Sequence, residues 1–276
     1  MNCKKITIVG LGLIGGSILK ALQGFENAEF YGVDSDKAVL SKAKQQGLIC
    51  NKELSPTEII QMADVVFVCL PPDATLSFIN FHSFKKNALV TDVSGVKQAI
   101  CKQISQKGID YIGGHPMAGK EESGFSASDG RLFQGASYLL TPTAENKQAN
   151  IELMQKMAKY MGCRETVLTT PEEHDRMIAY TSQLMHIVAV ALCDNKRLDD
   201  SKRFSAGSLR DCTRVAKLDS NLWTRLFLLN KQDLVHCIDE FSDSLKQIRD
   251  LIDNDKESEL KAFLDEASAR KCRFLA

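Results

Sequence analysis

The sequence predicts an α/β protein: an N-terminal Rossmann-type domain built on a parallel sheet, followed by an all-α C-terminal domain. Three observations carry this reading. Short, nearly continuous apolar runs alternate with helical patterns over the first part of the chain. A glycine-rich turn follows the first of these runs. Strand signals then stop after Thr170, and no proline occurs beyond Pro171.

The apolar runs are ITIVG (residues 6–10), FYGVD (30–34), DVVFVCL (64–70) and ALVTDV (88–93). Strands buried on both faces look like this, and helices between them imply parallel pairing. YIGG, SYLLTP and ETVLTT read as further strands towards the far edge. The first domain is therefore placed at 1–168 and a helical domain at 169–276. TPEEH opens the latter, with Thr170 as N-cap, Pro171 at the first helical position and Glu173 three residues after the cap. The long helix that follows runs through SQLMHIVAVAL. Farther on, Leu234, Ile238, Phe241, Leu245, Ile248 and Ile252 recur at spacings of four and three. That heptad stripe fits either a core-facing helix or a dimer seam.

Composition narrows the function. The chain has 276 residues, 35 Lys+Arg against 35 Asp+Glu, and a formal net charge of zero. It lacks the basic field that a nucleic-acid or anionic-membrane binder exploits, so neither partner is expected. Nine scattered cysteines, without C-x-x-C or a His/Cys cluster at ligand spacing, read as free thiols in a reducing compartment. No metal site is expected, and the location is read as cytoplasmic. The first residues faintly resemble a signal peptide, but glycines interrupt the apolar run and no cleavage pattern follows. No uninterrupted apolar run reaches membrane-spanning length.

VGLGLIGGS follows the first strand and opens a helix, which sets Gly10, Gly12 and Gly15 in a G-x-G-x-x-G. Such glycines allow a tight turn, close approach to a pyrophosphate, and close helix–strand packing. The backbone of Gly10, Leu11, Gly12, Leu13, Ile14 and Gly15 is expected to hold the phosphates at the helix N-terminus. Asp34 ends the second strand, 19 residues after Gly15. A carboxylate there bonds ribose hydroxyls and repels a 2′-phosphate, and Asp36 adds negative charge. The cofactor is therefore read as NAD rather than NADP. Leu70 and Pro71, at the end of the third strand, are expected to border it.

Two more glycine-punctuated loops follow strands, TDVSGVK (91–97) and GGHPMAGKE (113–121). In an open parallel sheet such loops gather at the cofactor crevice. His115, with the hydroxyl of Ser94 nearby, is read as the acid/base for an alcohol being oxidised, and its flanking glycines as room for the reactants. Hydride leaves a carbinol carbon readily only as the O–H proton is accepted, a task suited to neutral imidazole. His186 shares a helix face with Ser182, and on spacing alone it is a core residue. His82, His174 and His236 read as structural or surface residues. Arg210 and Arg214, four apart, suit carboxylate recognition or, equally, a solvated helix face.

GLGLIGGS, DVSGVK, GGHPMAGKEESG, TPEEHD, SQLMHIVAVAL and RDCTRVAKLD…LW together resemble the prephenate/arogenate dehydrogenase family of tyrosine biosynthesis, over nearly the whole chain. The resemblance implies oxidative decarboxylation of a cyclohexadienyl substrate with NAD(P)+. It also implies a Rossmann-type domain followed by a helical dimerisation domain, and hence a homodimer. His115 corresponds to the catalytic histidine bonded to the ring hydroxyl, Arg214 to the arginine on the substrate carboxylate, and His186 to the second histidine of a helical S-H-L-P-H pattern, which the resemblance places in the active site with His115 and Ser94. Three departures stand out. Gly95 occupies a position where the family often has serine, with Ser94 beside it. Gln183 and Met185 replace the first histidine and the proline of the helical pattern, and Lys120 stands where threonine is frequent. Gln183, Lys120 and Arg210 are expected to line the substrate pocket with Arg214.

The expected reaction is conversion of prephenate to 4-hydroxyphenylpyruvate with reduction of NAD+. Arogenate is the alternative substrate. The runner-up enzyme is another Rossmann-plus-helical dehydrogenase, such as a β-hydroxyacid dehydrogenase or an imine reductase, and the first is disfavoured because TSQLMHIVAVAL carries no lysine. A non-catalytic NAD-binding module is the reading from another class.

Overall fold

The computed structural model describes residues 3–104 and 109–275. Seven strands form one sheet: β1 (Lys5–Val9), β2 (Glu29–Val33), β3 (Val65–Val68), β4 (Leu89–Asp92), β5 (Asp110–Pro116), β6 (Ser137–Thr141) and β7 (Glu165–Leu168). Their order is β2-β1-β3-β4-β5-β6-β7. β1 to β5 are parallel, as the apolar runs predict. The order reverses between β1 and β3, which puts the ligand crevice at the carboxyl ends of those strands.

Alternation along the strands supplies two cores. Val65 and Phe67 enter one with Ile6, Ile8 and Leu89, whereas Val66 and Val68 enter the other with Val9 and Val90. Helices cover both faces: α1 (Leu13–Ala21), α2 (Lys37–Gln45), α3 (Pro56–Met62), α4 (Pro72–Phe81), α5 (Gln98–Ile104) and α6 (Gln148–Tyr160).

The sheet departs from a fully parallel one at its far edge. β6 runs antiparallel to β5, then pairs parallel with β7. Only a single 3-10 turn, Phe125–Ala127, lies between β5 and β6, so no crossover helix carries the chain back. The α6 crossover restores parallel pairing for β7. This hairpin-like return lengthens β5. His115 and Pro116 pair with Leu139 and Tyr138 of β6, so His115 sits on the strand itself and not in a loop after it.

The helical part contains α7 (Pro171–Ile178), a π-helical turn Ala179–Gln183, α8 (Leu184–Cys193), α9 (Arg197–Asp200), α10 (Gly207–Thr213) and α11 (Ser220–Leu229). Thr170 caps α7 as its sequence requires, accepting the Glu173 N–H at 3.1 Å. By length and composition alone, Pro171–Cys193 is apolar enough to cross a membrane. Its buried polar residues His174, Asp175 and Gln183 are nevertheless hydrogen-bonded inside the protein.

The chain packs as two compact units, one ending at Asn230 and the other starting at Lys231. The first holds the sheet together with α7 to α11. The second consists of α12 (Lys231–Asp253) and α13 (Glu257–Leu275), which pack on each other. On the heptad stripe of α12, Leu245 and Ile252 are exposed.

Candidate active site

The glycine turn has the form a dinucleotide demands. Gly10 adopts φ +83°, and a Cβ there would meet the Cys69 carbonyl oxygen at 2.5 Å. A Cβ on Gly15 would meet the Gly10 carbonyl oxygen at 1.9 Å, so this position is closed to any side chain. Gly12 is different: it begins α1 and faces open space. A pyrophosphate fits there against the free N–H groups of Leu13, Ile14 and their neighbours.

Asp34 reaches back to the turn, its Oδ2 accepting the Leu11 N–H at 2.7 Å and its Oδ1 the Asp36 N–H at 2.8 Å. The carboxylate is thereby fixed at the end of β2, with lone pairs left for ribose hydroxyls. Asp36 serves the fold, capping α2 through the Ala38 N–H. Leu70 packs against Gly10, its carbonyl accepts the Thr75 hydroxyl at 2.9 Å, and Pro71 leads into α4. These residues fit NAD.

On the other side of the reversal, His115 Nδ1 lies 2.9 Å from Nε2 of His174, and His174 Nδ1 lies 2.7 Å from Asp175 Oδ1. The carboxylate can only accept, so His174 carries its proton on Nδ1. Its Nε2 then accepts from His115 Nδ1–H, which leaves His115 Nε2 as a bare acceptor. His174 is thus brought into the site, against the expectation from sequence. The reason is tertiary: Asp175 Oδ1 and Oδ2 accept the N–H groups of Lys97 and Gln98, which docks α7 against the start of α5. The adjacent His-Asp pair in TPEEHD was the available signal.

Burial, His174 and the Lys97 ammonium hold His115 well below the usual histidine range. Burial also lowers His174, against the opposing pull of Asp175. The His174–Asp175 contact is accordingly a hydrogen bond of a neutral imidazole.

Gly113 and Gly114 do not make room for reactants. A Cβ on either would strike Thr141 Oγ1 at 2.3 Å or the Asp92 carbonyl at 2.7 Å, so they serve close packing beneath His115. Ser94 is buried and its Oγ has no partner among the described residues. The hydrogen-bond partner of the His115 ring is His174, not Ser94. A Cβ on Gly95, by contrast, would lie 3.8 Å from both Cε1 and Nε2 of His115 and from Leu226.

α11 links this centre to the second expected histidine. Leu226 faces Gly95, while Trp223, one turn earlier, stacks on His186 with centroids 3.6 Å apart. His186 Nδ1 bonds the Ser182 carbonyl at 3.0 Å, and burial lowers its pKa, with Arg214 adding to the effect. Arg225 of α11 grips Asp73 at the start of α4 at 2.7 Å.

Arg214 projects its guanidinium onto Glu121, Nη1 to Oε1 2.6 Å, so it already holds a carboxylate from the segment after His115. Arg210 is exposed and pairs with Asp211 at 3.6 Å. Lys120 lies 3.9 Å from Asp129. Gln183 is buried and accepts from Asn230 at 2.8 Å, while its Nε2 has no partner among the described residues. His82 and His236 take the structural and surface roles expected of them, on Phe78 and Glu240.

A dinucleotide turn at the switch point, with a neutral histidine held on β5 of the same sheet, defines an NAD-dependent oxidoreductase. Comparison with known proteins gives the family. A model described as the prephenate dehydrogenase nucleotide-binding domain matches residues 18–167, and one described as the prephenate dehydrogenase dimerization domain matches 170–266. The Bacillus subtilis prephenate dehydrogenase is 31% identical over 92% of this chain and 72% of its own. The Aquifex aeolicus prephenate dehydrogenase, solved with hydroxyphenyl propionate and NAD+, superposes with a TM-score of 0.86 at 29% identity, covering 99% of each chain. The Synechocystis arogenate dehydrogenase superposes at 0.85 and 28% identity, over 98% of this chain and 99% of that one. The chain belongs to the prephenate dehydrogenase family.

Proposed function

We infer that the protein is a prephenate dehydrogenase: it converts prephenate to 4-hydroxyphenylpyruvate and CO2 while reducing NAD+. The observation that carries the reading is the Asp175–His174–His115 chain, which leaves Nε2 of His115 bare beside a dinucleotide crevice. The substrate ring bears a hydroxyl at C4 and, across the ring, a quaternary carbon with a carboxylate. NAD+, when bound, accepts the hydride from C4. His115 Nε2 takes the hydroxyl proton as the C4 carbonyl develops, and His174 and Asp175 stabilise the imidazolium so formed. The electron pair of the breaking C–CO2 bond enters the ring as CO2 leaves, aromatisation drives that loss, and the C4 oxygen, now a phenolate, takes the proton back from His115.

Arg214 anchors a substrate carboxylate in this reading. Its existing ion pair with Glu121, through Nη1 and Oε1 alone, supports the assignment, because a guanidinium that holds one carboxylate can hold the substrate's in its place, and with its full fork. His186, stacked on Trp223, lines the pocket, with Lys120 and Gln183 as further lining. The helical part from residue 169 binds substrate and dimerises. Exposed Met177, Tyr180, Met185, Val190 and Leu192 on Pro171–Cys193, and Leu245 and Ile252 on α12, support a homodimer seam. The nine free cysteines and the neutral charge support a cytoplasmic location without nucleic-acid or membrane partners.

The test is growth of NADH absorbance with purified protein, NAD+, and prephenate or arogenate in turn. Prephenate is expected to be turned over the faster. Arogenate is the second substrate because the Synechocystis arogenate dehydrogenase shares this fold. Turnover of neither substrate overturns the reading.

A further inference from the structure

Lys97 and Asp92 form an ion pair whose side chains are both wholly buried, Nζ to Oδ2 2.6 Å. Removing two charges from water is costly, and an apolar pair of the same size often serves stability as well. The pair's surroundings indicate what else it does.

Asp92 ends β4 and gathers three further donors. Its Oδ2 accepts the Ser94 N–H at 2.8 Å, and its Oδ1 accepts the Tyr111 hydroxyl at 2.6 Å and the Gly114 N–H at 3.2 Å. Gly114 immediately precedes His115, so the carboxylate ties β4 to the strand position that carries the histidine. The other end of Lys97 is engaged as well. Its backbone N–H donates at 2.7 Å to Asp175 Oδ1, the same oxygen that fixes the His174 tautomer.

We propose that Lys97 is a positioning residue for proton acceptance at His115: its ammonium, through Asp92, fixes the strand beneath the histidine, and its backbone fixes the relay behind it. This rests on the reading of His115 as the base. Around the histidines and the ion pair, α7 supplies His174 itself and Asp175, β4 and the segment after it supply Asp92 and Lys97, β5 supplies Tyr111, α5 Cys101, β6 Tyr138 and the segment after β3 Cys69, while Leu226 of α11 presents only apolar surface near Gly95. Lys97 lowers both histidines, whereas Asp175 and Asp92 pull His174 the other way. A neutral base accepts a proton at once; a protonated one must first lose its own.

The experiment is the pH profile of kcat/KM with prephenate and NAD+ for the wild type, Lys97→Gln, and the double variant Asp92→Asn/Lys97→Met. Lys97→Gln keeps an N–H aimed at Asp92, and the double variant leaves no buried charge without a partner, so each guards against misfolding. Loss of the cation is expected to raise the acid limb by about 1 pH unit. A merely structural role lowers the amount of folded enzyme without moving that limb, so an unmoved limb in folded variants overturns the proposal. Should neither variant fold, the ring-nitrogen shifts of the wild-type histidines decide. His115 protonated on Nδ1 in its neutral form supports the positioning role, and the Nε2–H tautomer or ordinary titration overturns it. His115→Asn is the control: if it turns over normally, the reading of the base has failed, independently of Lys97.

Discussion

His115 Nδ1 and His174 Nε2 are 2.9 Å apart, with ring centroids at 5.1 Å and planes inclined by 55°, so the two imidazoles meet through a hydrogen bond and not by stacking. The consequence is chemical. Asp175 sets the tautomer of His174, His174 sets that of His115, and the acceptor lone pair of His115 is directed away from both.

His174→Leu removes the acceptor for His115 Nδ1–H and frees the second tautomer, which has no lone pair on Nε2. A fall of roughly tenfold or more in kcat is expected, with KM little changed, since positioned proton transfer is worth about 10²–10⁴ in rate. Steady-state kinetics on the folded variant check this. The variant also leaves a buried donor unpaired, a cost of about 1–3 kcal/mol visible in denaturant titration. Unchanged kcat would mean that the relay does not orient His115.

The relay also marks where sequence reasoning stopped. The strands, the glycine turn and the Thr170 cap are legible in the sequence, because each rests on local pattern: alternation, backbone freedom, a capping spacing. His174 is not, since its role arises only when Asp175 accepts from Lys97 and Gln98, 78 and 77 residues away. The glycines before His115 read from sequence as space for reactants, whereas they serve close packing. Their neighbours, Thr141 and Asp92, come from other strands. The antiparallel turn of β6, which puts His115 on a strand, likewise depends on pairing that no local pattern announces.

Gly12 and Gly15 should fail in different ways. A side chain at Gly15 meets the Gly10 carbonyl, so Gly15→Ala is expected to lower Tm and the yield of folded protein. Gly12 faces open space, so Gly12→Val is expected to keep its Tm and lose NAD binding, because the valine occupies the place of the pyrophosphate. Thermal melts and NAD titration by intrinsic fluorescence separate the two. Normal NAD affinity in Gly12→Val would remove the turn from the cofactor site.

Stability should fall on mild acidification. The pKa values of both His115 and His174 are depressed in the folded protein, whereas unfolded histidine titrates near 6.5. The unfolded chain therefore binds more protons below about pH 6.5, and stability rises with pH in that window. The contribution is complete above it and is lost progressively as pH drops towards the folded values. Melting temperatures from pH 7.5 down to 5 are expected to decline in the wild type and to decline less in His115→Asn, which no longer carries one of the two groups. Parallel curves for the two proteins would show that His115 is not held neutral by the fold.

Arg214 lies on a surface where its partner is exchangeable. Its ion pair with Glu121 joins two solvent-exposed side chains, and such pairs contribute little to stability. Arg214→Ala should accordingly leave Tm almost unchanged. Its cost is expected in KM for prephenate, raised roughly tenfold or more for the loss of a charge-assisted bidentate contact, with a smaller effect on kcat. Arg214→Lys keeps the charge and loses the fork, so it is expected to recover only part of the affinity. Arg210→Ala is the contrast: its side chain is exposed and paired with the adjacent Asp211, and its KM should stay close to that of the wild type. If Arg210→Ala and Arg214→Ala raise KM equally, the guanidinium pair acts as a unit and the separation between them is mistaken.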